Sequence, residues 1–202
     1  MPIDPTTPAP DDDWSPFSPA ELADRLGATR LTWYVVGGWA LDLWHGQQTR
    51  PHADLEFAVL PGDIAWFRTA LTGLAWFMAH AVQVRFLGAA EPPAQVSQLW
   101  GLDPVTRRWR VDMMLERGTP SEWVYKRDPA IRAPRAAVIR RDAAGIPYLA
   151  PATVLLFKAR HRRDKDEIDF AAALPRLQPS DRRQLRDWLT LAEPGHDWLG
   201  RL

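Results

Sequence analysis

The chain has no cysteine, which excludes at once a disulfide scaffold, a thiolate zinc site, an iron–sulfur cluster and a cysteine nucleophile. It lacks any apolar run approaching the ~18 residues of a membrane span. Its first residues are acidic and proline-rich, so no secretory signal peptide is visible and a cytoplasmic protein away from membranes is expected. An excess charge is missing too: 25 Lys and Arg stand against 25 Asp and Glu, a formal net charge of +0. No internal repeat is present. A monomer or weak dimer is the expected state.

What is there suits a folded chain with a proper core. Over 202 residues, 46% are apolar and 25% charged, the balance of one globular domain or of one with a small appendage. The zero net charge hides an asymmetry. Residues 1–30 hold six acids and two bases, whereas Lys126 to Lys165 holds eleven Lys or Arg and three Asp. The basic stretch would suit a polyanion, from a triphosphate to a nucleic acid. On charge alone a solvated face accounts for it better. Eleven tryptophans, scattered from Trp14 to Trp198, read as packing rather than as a stacking platform.

Three regions follow one another. Residues 1–17, rich in proline and carrying Asp11, Asp12 and Asp13, read as a poorly ordered tail. Residues 18–150 read as a mixed β-sheet with flanking helices, so the fold class is α+β. Within it, Ser18, Pro19 and Glu21 cap a helix that Gly27 ends, Leu31–Val36 is a strand, and Trp39–Trp44 a short helix. Asp54–Leu60 alternates as a second strand, and Ile64, Phe67, Leu71 and Leu74 make one stripe of a helix closed near Gly73. Val82–Leu87, Arg108–Glu116 and Trp123–Lys126 read as further strands, with a hairpin of Ala137–Arg140 and Ile146–Leu149 around Gly145. Residues 151–202 form a helical C-terminal part: Val154–Arg162, Lys165–Leu174 and Ser180–Ala192.

Asp54 and Glu56 are two apart on a strand, so their carboxylates share a face while Leu55 and Phe57 enter the core. Paired carboxylates repel unless a cation lies between them, and a divalent metal is the usual remedy. Alone, the pair is better read as a solvated face. A third acid changes this. In Arg108–Glu116 the apolar face is Trp109, Val111, Met113 and Leu115, which leaves Asp112 pointing with Arg110 to the other side. If that strand lies beside the Asp54 strand, three carboxylates converge, and such a triad can hold two Mg²⁺ ions for a phosphoryl-type displacement. Upstream, Gly37-Gly38 lies between strand and helix, where the backbone can approach a phosphate and the helix end offers free N–H groups.

The order Val36-Gly37-Gly38-Trp39-Ala40-Leu41-Asp42, Gly46, Thr49-Arg50, His52, Asp54-Leu55-Glu56 resembles the small antibiotic nucleotidyltransferases. These are the aminoglycoside 2''-adenylyltransferases and lincosamide nucleotidyltransferases of the DNA polymerase β-like superfamily. The resemblance is densest over residues 33–60. It continues through Arg110–Glu116, Trp123–Asp128, Gly145–Pro151, Leu156-Phe157-Lys158, Lys165-Asp166 and Asp169.

The resemblance implies a nucleotidyltransferase core in which Gly37 and Gly38 cradle the triphosphate of a donor nucleotide. Asp54 and Glu56 would bind Mg²⁺, and Asp112 would ligate one metal or take the acceptor's proton. Glu56 stands where many superfamily members carry aspartate; one methylene longer, it can still ligate, in a shifted or looser site.

Other polar residues fall near these motifs. Arg50 would brace the acidic strand or touch phosphate. His52 either approaches the site or caps and packs, and Asp42 lies on the helix after Gly-Gly, on the substrate side or facing solvent. Lys158, Arg162, Lys165 or Asp166, and Asp169 share one face if their helix is continuous. Lys158 would then reach the triphosphate, or else join an intrahelical ion-pair network. Arg127 and Lys165 are further substrate-side candidates. Together these predict a Mg²⁺-dependent transfer of a nucleoside monophosphate, AMP from ATP, to a hydroxyl of a small molecule of aminoglycoside or lincosamide type, with release of pyrophosphate. A protein-modifying nucleotidyltransferase of a toxin–antitoxin pair and an inactive nucleotide-binding module are the alternatives. A nucleic-acid partner is not expected, because it would leave the three acids idle.

Overall fold

In the computed structural model residues 4, 6–81 and 83–202 are described. In chain order the elements are α1 (Pro19–Leu26), β1 (Trp33–Val35), α2 (Gly37–His45), β2 (Glu56–Val59), α3 (Ile64–Ala70), β3 (Ala75–His80) and β4 (Gln83–Phe86). Then follow β5 (Gln98–Asp103), β6 (Arg108–Leu115), β7 (Arg117–Gly118), β8 (Glu122–Val124), β9 (Arg132–Pro134), α4 (Arg135–Val138), β10 (Ile139–Arg141) and β11 (Pro147–Leu149). Three helices close the chain: α5 (Pro151–Ala159), α6 (Asp164–Ala173) and α7 (Pro179–Ala192). The chain divides into two compact units, one of Met1–Val35 and Pro51–Arg117, the other of Val36–Arg50 and Gly118–Leu202.

The first unit is α+β with a mixed sheet. Its strands lie in the order β1-β2-β6-β5-β3-β4. The β2–β6 pair is parallel, and the β1–β2, β6–β5, β5–β3 and β3–β4 pairs are antiparallel. The helix α1 is capped as its sequence demands: Ser18 Oγ accepts from Glu21 N at 3.1 Å, and Glu21 Oε2 accepts from Ser18 N at 2.7 Å. Leu55, just before β2, Phe57 and Val59 within it, and Val111 and Met113 on β6 are each 0% exposed, as period-two alternation requires. Trp109, expected on the same face, is turned to the other side by a register shift opposite Gly101 and Leu102 and packs there with Ala9, Phe77 and Leu102.

Several details depart from the sequence reading. The described residues of the acidic, proline-rich start do not trail off; they run beside β6. Ser15 N and Phe17 N donate to Trp109 O and Arg110 O at 3.0 Å, and Trp109 N donates to Asp13 O at 3.0 Å. Trp14 packs edge-on against Trp100 with centroids 5.2 Å apart, and Asp13 pairs with Arg108. Ala9 and Phe17 are buried here, at 5% and 3% exposed, so apolar packing and the hydrogen bonds to β6 together offset the chain entropy of the segment. Residues 1–3 and 5 of that segment lie outside the described residues, as does Val82, the expected start of the strand now seen as β4. Strands β3, β5, β7 and β9 were not anticipated. Ala137 and Val138, expected in a strand, belong to the short helix α4, and the hairpin that follows pairs Ile139 with Leu149 and Arg141 with Pro147.

The second unit is organised around α5, whose residues Pro151–Leu156 are all buried. Helices α2, α6 and α7 pack on it, which explains why its apolar residues are not confined to one stripe. Phe157 meets Trp123 and Tyr125, and Trp123 meets Trp188, with ring centroids 6.2, 4.9 and 5.6 Å apart.

Candidate active site

The parallel register of β2 and β6 pairs Glu56 with Asp112 and Phe57 with Met113, and Asp112 N donates to Leu55 O at 2.8 Å. The third acid thus stands beside the first two, as the alternation of both strands requires once they are neighbours. Asp54, just before β2, and Glu56 are half-buried, whereas Asp112 is 3% exposed. Its Oδ2 accepts a hydrogen bond from Gln98 Nε2 at 2.9 Å. Its Oδ1 is buried and has no hydrogen-bond partner. Burial pushes the Asp112 carboxyl well above the usual carboxylate range, and the charges of Glu56 and Asp54 push the same way; the hydrogen bond from Gln98 opposes them without cancelling them.

A cluster of this kind suits a hard cation. The donors are all carboxylate oxygens, and one buried oxygen lacks a partner, a costly state that a ligand would relieve. Among the described residues no group of three or more His, Asp or Glu side chains is placed to hold a metal ion. Magnesium does not need one: it keeps several waters and binds through one or two carboxylates plus substrate phosphates. At the end of the cluster's strand, Tyr34 donates its hydroxyl hydrogen to Glu116.

In the second unit, Gly37 and Gly38 form the first turn of α2 rather than a loop before it. Val36 precedes them in an extended conformation and supplies no side-chain cap. Gly37 has φ of 63°, a left-handed value that a side chain would strain. Asp42 does not face solvent: it is 4% exposed, and its Oδ1 accepts from Thr49 N at 3.0 Å and from the Thr49 hydroxyl. It clips the loop that follows α2.

That loop leads to Arg50, which holds Asp169 by two hydrogen bonds, Nε to Oδ1 at 2.9 Å and Nη2 to Oδ2 at 2.8 Å. Lys158 Nζ lies 2.8 Å from Asp166 Oδ1 and 2.8 Å from Asp169 Oδ2. The continuous helix expected over Lys158–Asp169 is broken at residues 160–163, so these pairs join α5 to α6 and are not intrahelical. Burial alone would raise the Asp166 carboxyl, but hydrogen bonds from Arg163 and Lys158 hold it at about 2. Asp169 is likewise lowered: burial works against its charge, and the bonds from Arg50 and Lys158 overcome that.

The remaining candidates are spread out. Arg127 Nη1 donates to Phe157 O at 2.8 Å and to the Tyr125 hydroxyl at 3.3 Å. Lys165 is exposed, and His52 is half-buried in the segment before β2. Gln98 was missed altogether, since its strand was not read; its only signal is the spacing Gln98-Trp100 opposite Met114-Asp112.

An α+β unit with Glu56 and Asp112 paired on adjacent strands, and Asp54 just before the first of them, is the frame in which the comparisons fall. Residues 20–87 match the model of a family described as aminoglycoside-2''-adenylyltransferase. That segment runs from α1 to β4 and contains Gly37, Gly38, Arg50, His52, Asp54 and Glu56. Over this third of the chain the match supports the resemblance to the antibiotic nucleotidyltransferases, and with it nucleotidyl transfer as the class of chemistry. No curated protein matches the chain. Among the described residues no helix is long and apolar enough to cross a membrane.

Proposed function

We propose that this protein transfers a nucleoside monophosphate, AMP from ATP, to a hydroxyl group of a small antibiotic-like acceptor such as an aminoglycoside or lincosamide. The observation that carries the reading is the Glu56–Asp112 register pair, which sets a buried third carboxylate beside the acids of the family-matched segment. Asp54, Glu56 and Asp112 would hold Mg²⁺. When bound, the cation would offset negative charge on the triphosphate and on the leaving pyrophosphate. Asp112 accepts the proton of the acceptor hydroxyl, the role that the resemblance implies for the third acid. The acceptor oxygen then forms a bond to the α-phosphorus as the bond from that phosphorus to the bridging oxygen breaks, and pyrophosphate leaves. Gly37 and Gly38, at the uncapped start of α2, receive phosphate oxygens on backbone N–H groups, as the resemblance implies. Arg50 and Lys158 are engaged by Asp169 and Asp166, so their contribution is to hold the loop after α2 and the helices α5 and α6 in place.

The test is pyrophosphate release with Mg²⁺, each nucleoside triphosphate and a panel of aminoglycosides and lincosamides. Release should require one acceptor and be lost, by a factor of at least about 10², in Asp54→Asn and Asp112→Asn. Release that persists in both variants would overturn the assignment. Nucleotide binding without release from any pair would favour a binding module or a protein acceptor.

A further inference from the structure

Asp112 is a carboxylate with one oxygen held and one bare. The oxygen that is held is held by a neutral group. Gln98, on β5, lies diagonally across from Asp112, since the β5–β6 register pairs Gln98 with Met114 and Trp100 with Asp112. On one face of an antiparallel pair such diagonal neighbours are within reach of a long side chain. Gln98 Nε2 has two hydrogens, and both have acceptors: Asp112 Oδ2 at 2.9 Å and the thioether of Met114 at 3.4 Å. The amide is therefore fixed in its turn, with Met114 as its backstop.

The chemistry of the donor matters. An arginine or lysine in this position would neutralise the carboxylate and compete with any cation for it. A glutamine satisfies one oxygen, leaves the full negative charge, and removes the rotation that would let either oxygen face inward. Partners of this kind orient metal-ligating carboxylates without touching the metal.

We propose that Gln98 is a positioning residue for Asp112, its amide anchoring Oδ2 so that the buried, partnerless Oδ1 is the oxygen presented to a divalent cation. The proposal rests on the reading of the three acids as a cation site, and the experiment separates the two. Mn²⁺ alone, in the absence of nucleotide, is titrated into the full-length protein and followed by calorimetry or by the loss of its free electron-resonance signal. The proteins compared are the wild type, Gln98→Leu, Gln98→Met, Asp112→Asn and the Gln98→Met/Asp112→Asn double variant. Gln98→Met keeps the length and flexibility of the side chain without its donors, and so serves if Gln98→Leu fails to fold.

Loss of an orienting partner should weaken Mn²⁺ binding by about 10–100-fold, with a urea midpoint close to the wild type. In the Asp112→Asn background the same change should have almost no effect, because there is no longer a carboxylate to orient. In pyrophosphate release, kcat should fall while the KM for the nucleotide stays within about twofold, the pattern of an interaction that matters in the transition state. Equal Mn²⁺ affinity in the wild type and a folded Gln98 variant would overturn the role of Gln98 and leave the cation site standing. Absence of Mn²⁺ binding by the wild type would overturn both.

Discussion

Arg50 and Asp169, 119 positions apart in the chain, are joined by two parallel hydrogen bonds of 2.9 and 2.8 Å. The fork of the guanidinium matches the two carboxylate oxygens, the geometry in which such pairs are strongest. Lys158 adds its ammonium to the same carboxylate and to Asp166. The side chains of Lys158, Asp166 and Asp169 are 8%, 1% and 4% exposed, so the loop after α2, the end of α5 and the start of α6 are tied at one nearly dry point.

Removing one member should therefore be costly in a way that removing a surface pair is not. Asp169→Ala takes from Arg50 its two-pronged partner and from Lys158 one of its two carboxylates at a nearly dry point, and should lower unfolding free energy by about 3 kcal/mol. Asp197→Ala is the internal control: Asp197 pairs with Arg162 at 2.9 Å, but its side chain is 73% exposed, and its loss should cost little. Urea unfolding of the two variants measures the contrast. Equal costs would mean that the α5–α6 network contributes no more than an exposed pair.

The same network sets an acid limit on stability. Asp166 ionises at about 2 in the folded protein against 3.8 in its ordinary state. A depressed carboxylate contributes stability that is complete above the unfolded value and is lost as pH falls through the folded one. The window is thus between about pH 4 and pH 2. With solvent screening allowed for, the contribution is on the order of 1–2 kcal/mol. Asp169 shifts in the same direction, so the two losses overlap. In Asp166→Asn the urea midpoint should be lower than the wild type at pH 7, and the difference should shrink toward pH 2.

Much of this was legible in the chain, and the reasons for the rest are physical. Alternation along Asp54–Leu60 and Arg108–Glu116 is a local property, so it shows which residues share a face. That the two strands are neighbours is not local, yet three acids on matching faces made it a natural inference. The cap at Ser18–Glu21 was readable because it needs only contacts within one turn. The link from Arg50 to Asp169 was not readable, since nothing in either segment records a partner more than a hundred residues away. Strand β5 escaped because Gly101 interrupts its apolar pattern, and a glycine lacks the side chain on which strand propensity depends. The ordering of the first residues escaped because composition favours disorder there, while a single tryptophan, Trp14, finds a place against Trp100 and Trp109.

Gly101 owes its place to close packing rather than to backbone conformation. A Cβ added there would lie 2.8 Å from Leu74 Cδ1 and 3.0 Å from Val111 Cγ2. Val111 is 0% exposed, so it has little room to yield, and Leu74, just before β3, would have to shift. Gly101→Ala should destabilise by about 1–3 kcal/mol, and Gly101→Val by more. Gly145→Ala, at the hairpin turn, meets nothing within 4 Å but has φ of 84°, so its smaller cost, about 1 kcal/mol, would come from the backbone alone. A thermal midpoint unchanged in Gly101→Ala would show that β5 and β3 can separate without penalty.

The acid cluster should reveal itself as a place where stability is given up. Asp112 is buried beside Glu56 and Asp54, and its carboxyl is raised well above 3.8. A raised carboxylate penalises the folded state wherever it must be charged. That penalty is absent below the unfolded value and complete above the folded one. Asp112→Asn removes the charge while keeping the side chain's shape and an acceptor for Gln98. In a chelator at pH 8 the variant should unfold at higher urea than the wild type, and at pH 4 the gain should be nearly gone. The same substitution should abolish pyrophosphate release. A variant that is both inactive and more stable, with the gain confined to the alkaline side, is what three converging carboxylates without a counterion require. A variant less stable than the wild type at pH 8 would mean that Asp112 is held by favourable contacts and serves the fold.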